Sequence, residues 1–128
     1  PCDHKHIKIL VVEDNEVDMK VACAAIERGG YSALKAYDGK TGLSMTKQFL
    51  PDLIILDMMV GGQSGLDVLE KIKHAPATAS IPVIILSAID QEDVIAKTKA
   101  LGAADYILKG SVSLNETLKR VQKHLYSR

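Results

Sequence analysis

Leu53-Ile54-Ile55-Leu56-Asp57 and Val83-Ile84-Ile85-Leu86-Ser87 decide the fold of this chain. Each is an unbroken run of large apolar residues followed at once by a carboxylate or a hydroxyl. A strand with one wet face alternates apolar and polar residues. Short runs without alternation suit strands covered on both faces, as in a parallel sheet. Working outward, three more apolar runs read as strands: Ile7–Val12, Ser32–Ala36 and Ala104–Leu108. The second of these, Ser-Ala-Leu-Lys-Ala, is weak and reads as an edge strand.

Helical signals fill the intervals. Val17, Val21, Ala24 and Ala25 recur at helical spacing, and Gly29-Gly30 ends that helix. A second helix around Lys40–Phe49 is weakened by Gly42 and Thr46. Leu66, Leu69 and Ile72 stripe a third, which ends before Pro76; Asp90 followed by Asp93 marks the start of a fourth. Leu114, Leu118, Val121 and Leu125 form the clearest stripe, opened by Ser113 and Glu116 at capping-box spacing. Strand–helix alternation of this kind predicts a parallel sheet with helices on both faces, and right-handed crossovers restrict its topology. The leading candidate is a doubly wound α/β fold with five strands in the order 2-1-3-4-5 and five helices. In such a sheet the chemistry gathers outside the carboxyl ends of the strands, near the break between strands 1 and 3.

Composition sets the class. The 128 residues suit one domain, 47% hydrophobic and 25% charged. Sixteen basic and sixteen acidic residues cancel, which argues against a surface devoted to nucleic acid. Cys2 and Cys23 have no metal or redox spacing and read as free thiols in a reducing compartment. No apolar stretch approaches the ~18 residues of a membrane span, and no signal-peptide pattern is visible. A cytoplasmic protein without membrane insertion is therefore expected. Residues 1–6 read as an N-terminal extension and 7–127 as the domain. The chain starts at Pro1 and no effector domain follows the last helix. A stand-alone protein and a domain cut from a longer chain both remain open.

The residues after each strand carry the chemistry. Glu13 and Asp14 follow strand 1, Asp57 strand 3, Ser87 strand 4 and Lys109 strand 5. Taken singly, each is more often a helix cap or a solvated side chain; Asp14 or Asn15 can cap helix 1 and do nothing else. Together they put three carboxylates, a hydroxyl and a lysine on one rim. Like charges ~4 Å apart at an effective dielectric near 20 repel by about 4 kcal/mol per pair, so a cation is wanted. Oxygen-only ligands suit Mg²⁺ (or Mn²⁺), which favours one or two carboxylates plus phosphate oxygens. Lys109 adds a point charge for phosphate, and an aspartate can attack phosphorus to form an acyl phosphate. No P-loop and no GxGxxG follows strand 1. The glycine-rich turn Val60-Gly61-Gly62-Gln63-Ser64-Gly65 reads as a flexible loop ahead of a helix capped by Ser64. His4, His6, His74 and His124 read as solvated surface residues.

Glu13-Asp14, Asp57, Ser87 and Lys109 at these intervals, with Gly65 and the segment Gly102–Lys109, resemble the receiver domains of two-component signalling. The resemblance runs from about Ile7 to the last helix and implies a flavodoxin-like fold. It implies that Asp57 is the phosphoacceptor, Asp14 a direct Mg²⁺ ligand, Glu13 a ligand mostly through water, and the backbone carbonyl of Met59 a further ligand. Lys109 would bind a phosphoryl oxygen. Ser87 would move to the phosphoryl group, with Tyr106, at the switch-aromatic position, turning inward. The implied partner is a sensor histidine kinase or histidine phosphotransfer domain. The implied output is a change at the surface of helix 4, strand 5 and helix 5, where a downstream effector binds. The chain would act as a signalling switch that phosphorylates itself from its donor, with at most slow autodephosphorylation.

Three features depart from the family. Val60-Gly61 replaces a common Met-Pro, which should loosen the metal-binding loop. Gly110 follows Lys109 in place of a proline with a cis bond, so a trans bond is expected at 109–110. Met59 and Ile89, two residues beyond Asp57 and Ser87, offer no polar group to orient water, so a long-lived phosphorylated state is expected. Two other readings stand beside this one. A receiver-like interaction module would work without phosphate. A phosphatase or phosphotransferase with an aspartyl nucleophile would want a second acid at 59, where the chain has Met59.

Overall fold

The apolar runs become strands buried on both faces because helices cover the sheet above and below. A computed structural model describes residues 5–60 and 62–127. Cys2, His4 and the first four residues of the expected extension lie outside the described residues, as does Gly61 of the glycine turn. The elements in chain order are β1 (Lys8–Val12), α1 (Glu16–Arg28), β2 (Ser32–Ala36), α2 (Gly39–Phe49), β3 (Leu53–Leu56), β4 (Met59–Val60), β5 (Gln63–Ser64), α3 (Gly65–His74), β6 (Val83–Ser87), α4 (Glu92–Ala100), β7 (Asp105–Leu108) and α5 (Leu114–Leu125). Five strands pair in parallel in the order β2-β1-β3-β6-β7. Counting sheet strands only, this is the expected 2-1-3-4-5 order and the flavodoxin-like arrangement.

Side chains alternate along β1, and the alternation splits the core into two layers. Leu10 and Val12 join Ile54, Leu56, Val83 and Ile85 beneath α3, which contributes Val68, Leu69 and Ile72. Ile9 and Val11 join Leu53, Ile55, Ile84 and Ile107 on the other face, against Met19, Cys23 and Ile26 of α1 and Val121 of α5. Each such side chain stabilises the fold by roughly 1.5–3 kcal/mol on burial. β2 lies at the sheet edge, with Lys35 exposed and Ala33 and Leu34 half-buried, as its weak pattern suggested.

Two local expectations are corrected. The glycine turn is not a free loop: Met59 pairs with Ser64 and Val60 with Gln63 in a small antiparallel ribbon, with Gly62 at φ +75°. Glycine supplies that conformation without a steric cost. The fourth helix is not capped by Asp90. The chain stays extended through Gln91 (φ −123°, ψ 125°), and α4 begins at Glu92 without a side-chain cap. Elsewhere the caps form as read: Asn15 accepts from the Asp18 amide, Ser64 from Leu66 and Ser113 from Glu116. The described peptide bonds are all trans, including the one between Lys109 and Gly110. No helix among the described residues is long and apolar enough to cross a membrane.

Candidate functional site

Parallel strands release their following residues on one rim, and the register brings those residues together. Val12 pairs with Leu56, and the Asp57 amide donates to the Val12 carbonyl at 3.1 Å. Glu13 and Asp57 thereby leave adjacent strands side by side. On the far side, Ser87 pairs with Leu108, and the Lys109 amide donates to the Ser87 carbonyl at 2.8 Å. Helix α3 presses on the acceptor strand from below. The Gly65 amide donates to the Met58 carbonyl at 2.5 Å, and a Cβ at Gly65 would collide with the Asp57 carbonyl oxygen.

Glu13, Asp14 and Asp57 each offer a carboxylate oxygen, all within 4.8 Å of one another. Their exposures differ: Glu13 is 3% exposed and Asp57 9%, whereas Asp14 faces solvent. The Lys109 ammonium reaches into this cluster. It donates to Glu13 Oε1 at 2.5 Å, to Asp18 Oδ2 at 2.9 Å and to Asp57 Oδ2 at 3.2 Å. Asp18 escapes a reading confined to residues directly after strands. The signal for it lies in helix geometry, because four residues after Asp14, in the first turn of α1, the helix points back over the strand ends.

Burial pushes the Glu13 carboxyl up; the Lys109 ammonium pulls it down and Asp57 pushes it up again, leaving it at about 7. Lys109 rises as well, for the opposite balance of causes. Burial lowers it, but hydrogen bonds and charge from Glu13, Asp18 and Asp57 outweigh burial and hold it above its ordinary range. One cation shared among this many acids leaves a surplus of negative charge. An oxygen-only donor set with that surplus fits a hard divalent cation such as Mg²⁺ or Mn²⁺.

Ser87 and Tyr106 meet at the backbone of one residue, Ile89, on the peptides either side of its Cα. Ser87 is 1% exposed and its Oγ accepts from the Ile89 amide at 3.1 Å; the Tyr106 hydroxyl donates to the Ile89 carbonyl at 2.7 Å. The Tyr106 ring is buried here with its hydroxyl satisfied, so it already lies inward instead of waiting outside. Met59 is exposed, whereas Ile89 packs against the core. Gly110 has φ +78°, which a proline locked near −65° cannot adopt.

His124 is not a solvated side chain. Its Nε2 lies 3.0 Å from Asp105 Oδ2, while the Arg120 guanidinium takes both oxygens of the same carboxylate. His74 is exposed, its Nδ1 near the Glu70 carbonyl, and His6 is exposed too. A cavity of about 220 Å³ lies beside Lys109, where Val21, Leu86, Leu108, Val112 and Leu114 make its wall mainly apolar.

Residues 9–122 match the family model of the response regulator receiver domain. Among curated relatives, PleD of Caulobacter vibrioides is 36% identical over 102 residues, which are 80% of this chain but 22% of PleD. PilH of Pseudomonas aeruginosa is 33% identical over 102 residues, covering 80% of this chain and 84% of PilH. The solved structure of the phosphorylated cyanobacterial phytochrome response regulator RcpA superposes with a TM-score of 0.78 at 31% identity, covering 94% of this chain and 90% of that one. The chain thus spans nearly all of PilH and only a fraction of PleD.

Proposed function

The chain belongs to the response-regulator receiver family, and on that premise we propose that it is a phosphorylation switch whose acceptor is Asp57. The observation that carries this reading is the meeting of Asp57 with Glu13, Asp14 and Lys109 on one rim. In phosphoryl transfer the P–N bond of a partner phosphohistidine breaks, and an Asp57 carboxylate oxygen bonds to phosphorus. The donor imidazole leaves with the electron pair and takes a proton. The partner is a sensor histidine kinase or a histidine phosphotransfer domain.

Alignment and neutralisation of the equatorial oxygens are what such a transfer needs from the protein. Asp14 and Asp57, with the Met59 carbonyl, would hold Mg²⁺ or Mn²⁺, Glu13 acting through water. The metal supplies positive charge to the transferred oxygens. Lys109 already touches the acceptor carboxylate and supplies a second positive charge. Ser87 then gives its hydroxyl to the phosphoryl group. That step costs the Ile89 amide its acceptor, on the same residue whose carbonyl Tyr106 binds. The output surface is α4, β7 and α5, where an effector domain or protein reads the switch.

Incubation with acetyl phosphate and Mg²⁺ tests this reading. The parent should gain the mass of one phosphoryl group, and Asp57→Ala should gain none. A parent without mass gain would sink the switch and leave an interaction module of receiver fold.

A further inference from the structure

We propose that Asp18 is a positioning residue for phosphoryl uptake: with Glu13 it fixes two of the three N–H groups of Lys109, so that the third points at Asp57. The inference rests on Asp57 as phosphoacceptor and adds a residue to that site. A lysine ammonium has three donors and no acceptor. Here all three are spent on carboxylates, and the shortest two go to groups other than the acceptor: 2.5 Å to Glu13 and 2.9 Å to Asp18, against 3.2 Å to Asp57. The two anchors stand on different elements. Glu13 follows β1 and is nearly buried; Asp18 stands in the first turn of α1, where its own amide donates to the Asn15 cap at 3.0 Å. The ammonium is therefore braced from the sheet and from the helix above it.

Lys109 needs such bracing. Its four-carbon stem is flexible, and a lysine places a point charge only as well as its contacts hold it. The residue that follows is Gly110 at φ +78°, where an added Cβ would meet nothing within 4 Å, so the chain beyond Lys109 gives little lateral support. When a phosphoryl group arrives, the Asp57 contact is the one exchanged for a phosphoryl oxygen. Glu13 and Asp18 can keep their contacts while that exchange takes place. The opposite role for Asp18, a fourth negative charge that repels the incoming donor, makes the opposite prediction.

The test follows the uptake rate from acetyl phosphate at saturating Mg²⁺ in the parent, Asp18→Ala, Asp18→Asn, Lys109→Met and the Asp18→Ala/Lys109→Met double variant. Asp18→Ala should be slower by about ten-fold, the loss of one well-placed contact at a reacting group. Asp18→Asn, which keeps an acceptor oxygen, should fall between the parent and Asp18→Ala. In the Lys109→Met background, Asp18→Ala should cause no further loss, because the two residues act as one unit. A faster or unchanged Asp18→Ala, a faster Asp18→Asn, or an equal loss without Lys109 overturns the proposal. Asp18 is half-exposed and its cap bond is made by its backbone, so the variants should melt near the parent.

A second readout needs neither metal nor phosphate. Proton exchange at the Lys109 ammonium, followed by NMR, should accelerate in Asp18→Ala, and an unchanged exchange rate counts against the proposal. A parent that takes no phosphoryl group while Asp18 still governs this exchange would refute the acceptor reading and leave the bracing intact.

Discussion

Gly65 shows how a single missing methyl shapes the site. A Cβ there would collide with the Asp57 carbonyl oxygen and sit 2.7 Å from the Met58 Cα, both backbone atoms without a rotamer to yield. Gly65→Ala should therefore cost about 1–3 kcal/mol by overpacking and slow phosphoryl uptake, because the strain falls on the acceptor residue itself. Urea titration and acetyl phosphate labelling read the two effects separately. Met59 and Ile89 bear on the reverse reaction. Neither offers a group to orient water at Asp57, so the acyl phosphate should be long-lived. Met59→Asn, at an exposed position, should shorten its half-life several-fold in a time course followed by mass spectrometry. An unchanged half-life would remove Met59 from the account.

Two elements of the expected output surface differ in how firmly they are held. Helix α4 buries only Thr98 completely and has no side-chain cap at Gln91. Gln91→Asp, in an extended N-cap conformation, should stabilise the protein by about 0.5–1 kcal/mol in chemical denaturation. Helix α5 is tied down more firmly. Arg120 and His124 both bind the half-buried Asp105 at the start of β7. Burial pushes the Asp105 carboxyl up, but hydrogen bonds from Arg120 and His124 outweigh it and leave the group below its ordinary value. A depressed acid contributes stability that is complete above its unfolded pKa, near 4, and is lost as pH falls through its folded value. Asp105→Asn should therefore be less stable than the parent at neutral pH, with the gap closing as the solution is acidified below about pH 4. A gap independent of pH would mean that the carboxylate charge is not what holds α5.

Across the whole molecule, acids converge on the rim above a sheet whose two core layers are built of apolar side chains. That convergence works against the fold until a cation arrives. Divalent metal should raise the melting temperature by mass action on the folded state, and Asp14→Asn should remove most of that gain while melting higher than the parent without metal. Thermal melts with EDTA and with Mg²⁺ check both statements. The architecture behind the site was largely legible in the sequence. Unbroken Leu and Ile runs at 53–56 and 83–86 demanded cover on both faces, and Gly29-Gly30 and Ser113 marked helix ends through local hydrogen-bonding chemistry. The ribbon at Met59–Ser64, the late start of α4 and the partner of His124 were not legible, because each depends on which distant backbone or side chain arrives beside it.

Sequence alone determined the parallel α/β class and the five rim residues Glu13, Asp14, Asp57, Ser87 and Lys109, because strand periodicity and the residue after each strand are local facts. The strand order was a leading candidate in the sequence, and the pairing of distant strands decided it. Tertiary structure alone decided how those residues share contacts. It brought Asp18 from α1 onto Lys109, tied Ser87 to the Ile89 amide and Tyr106 to the Ile89 carbonyl, and buried Glu13 while leaving Asp14 in water. The physical reason is reach: the lysine after β7 meets an acid from α1 only after the sheet has twisted and the helix has packed, and no spacing along the chain encodes that distance.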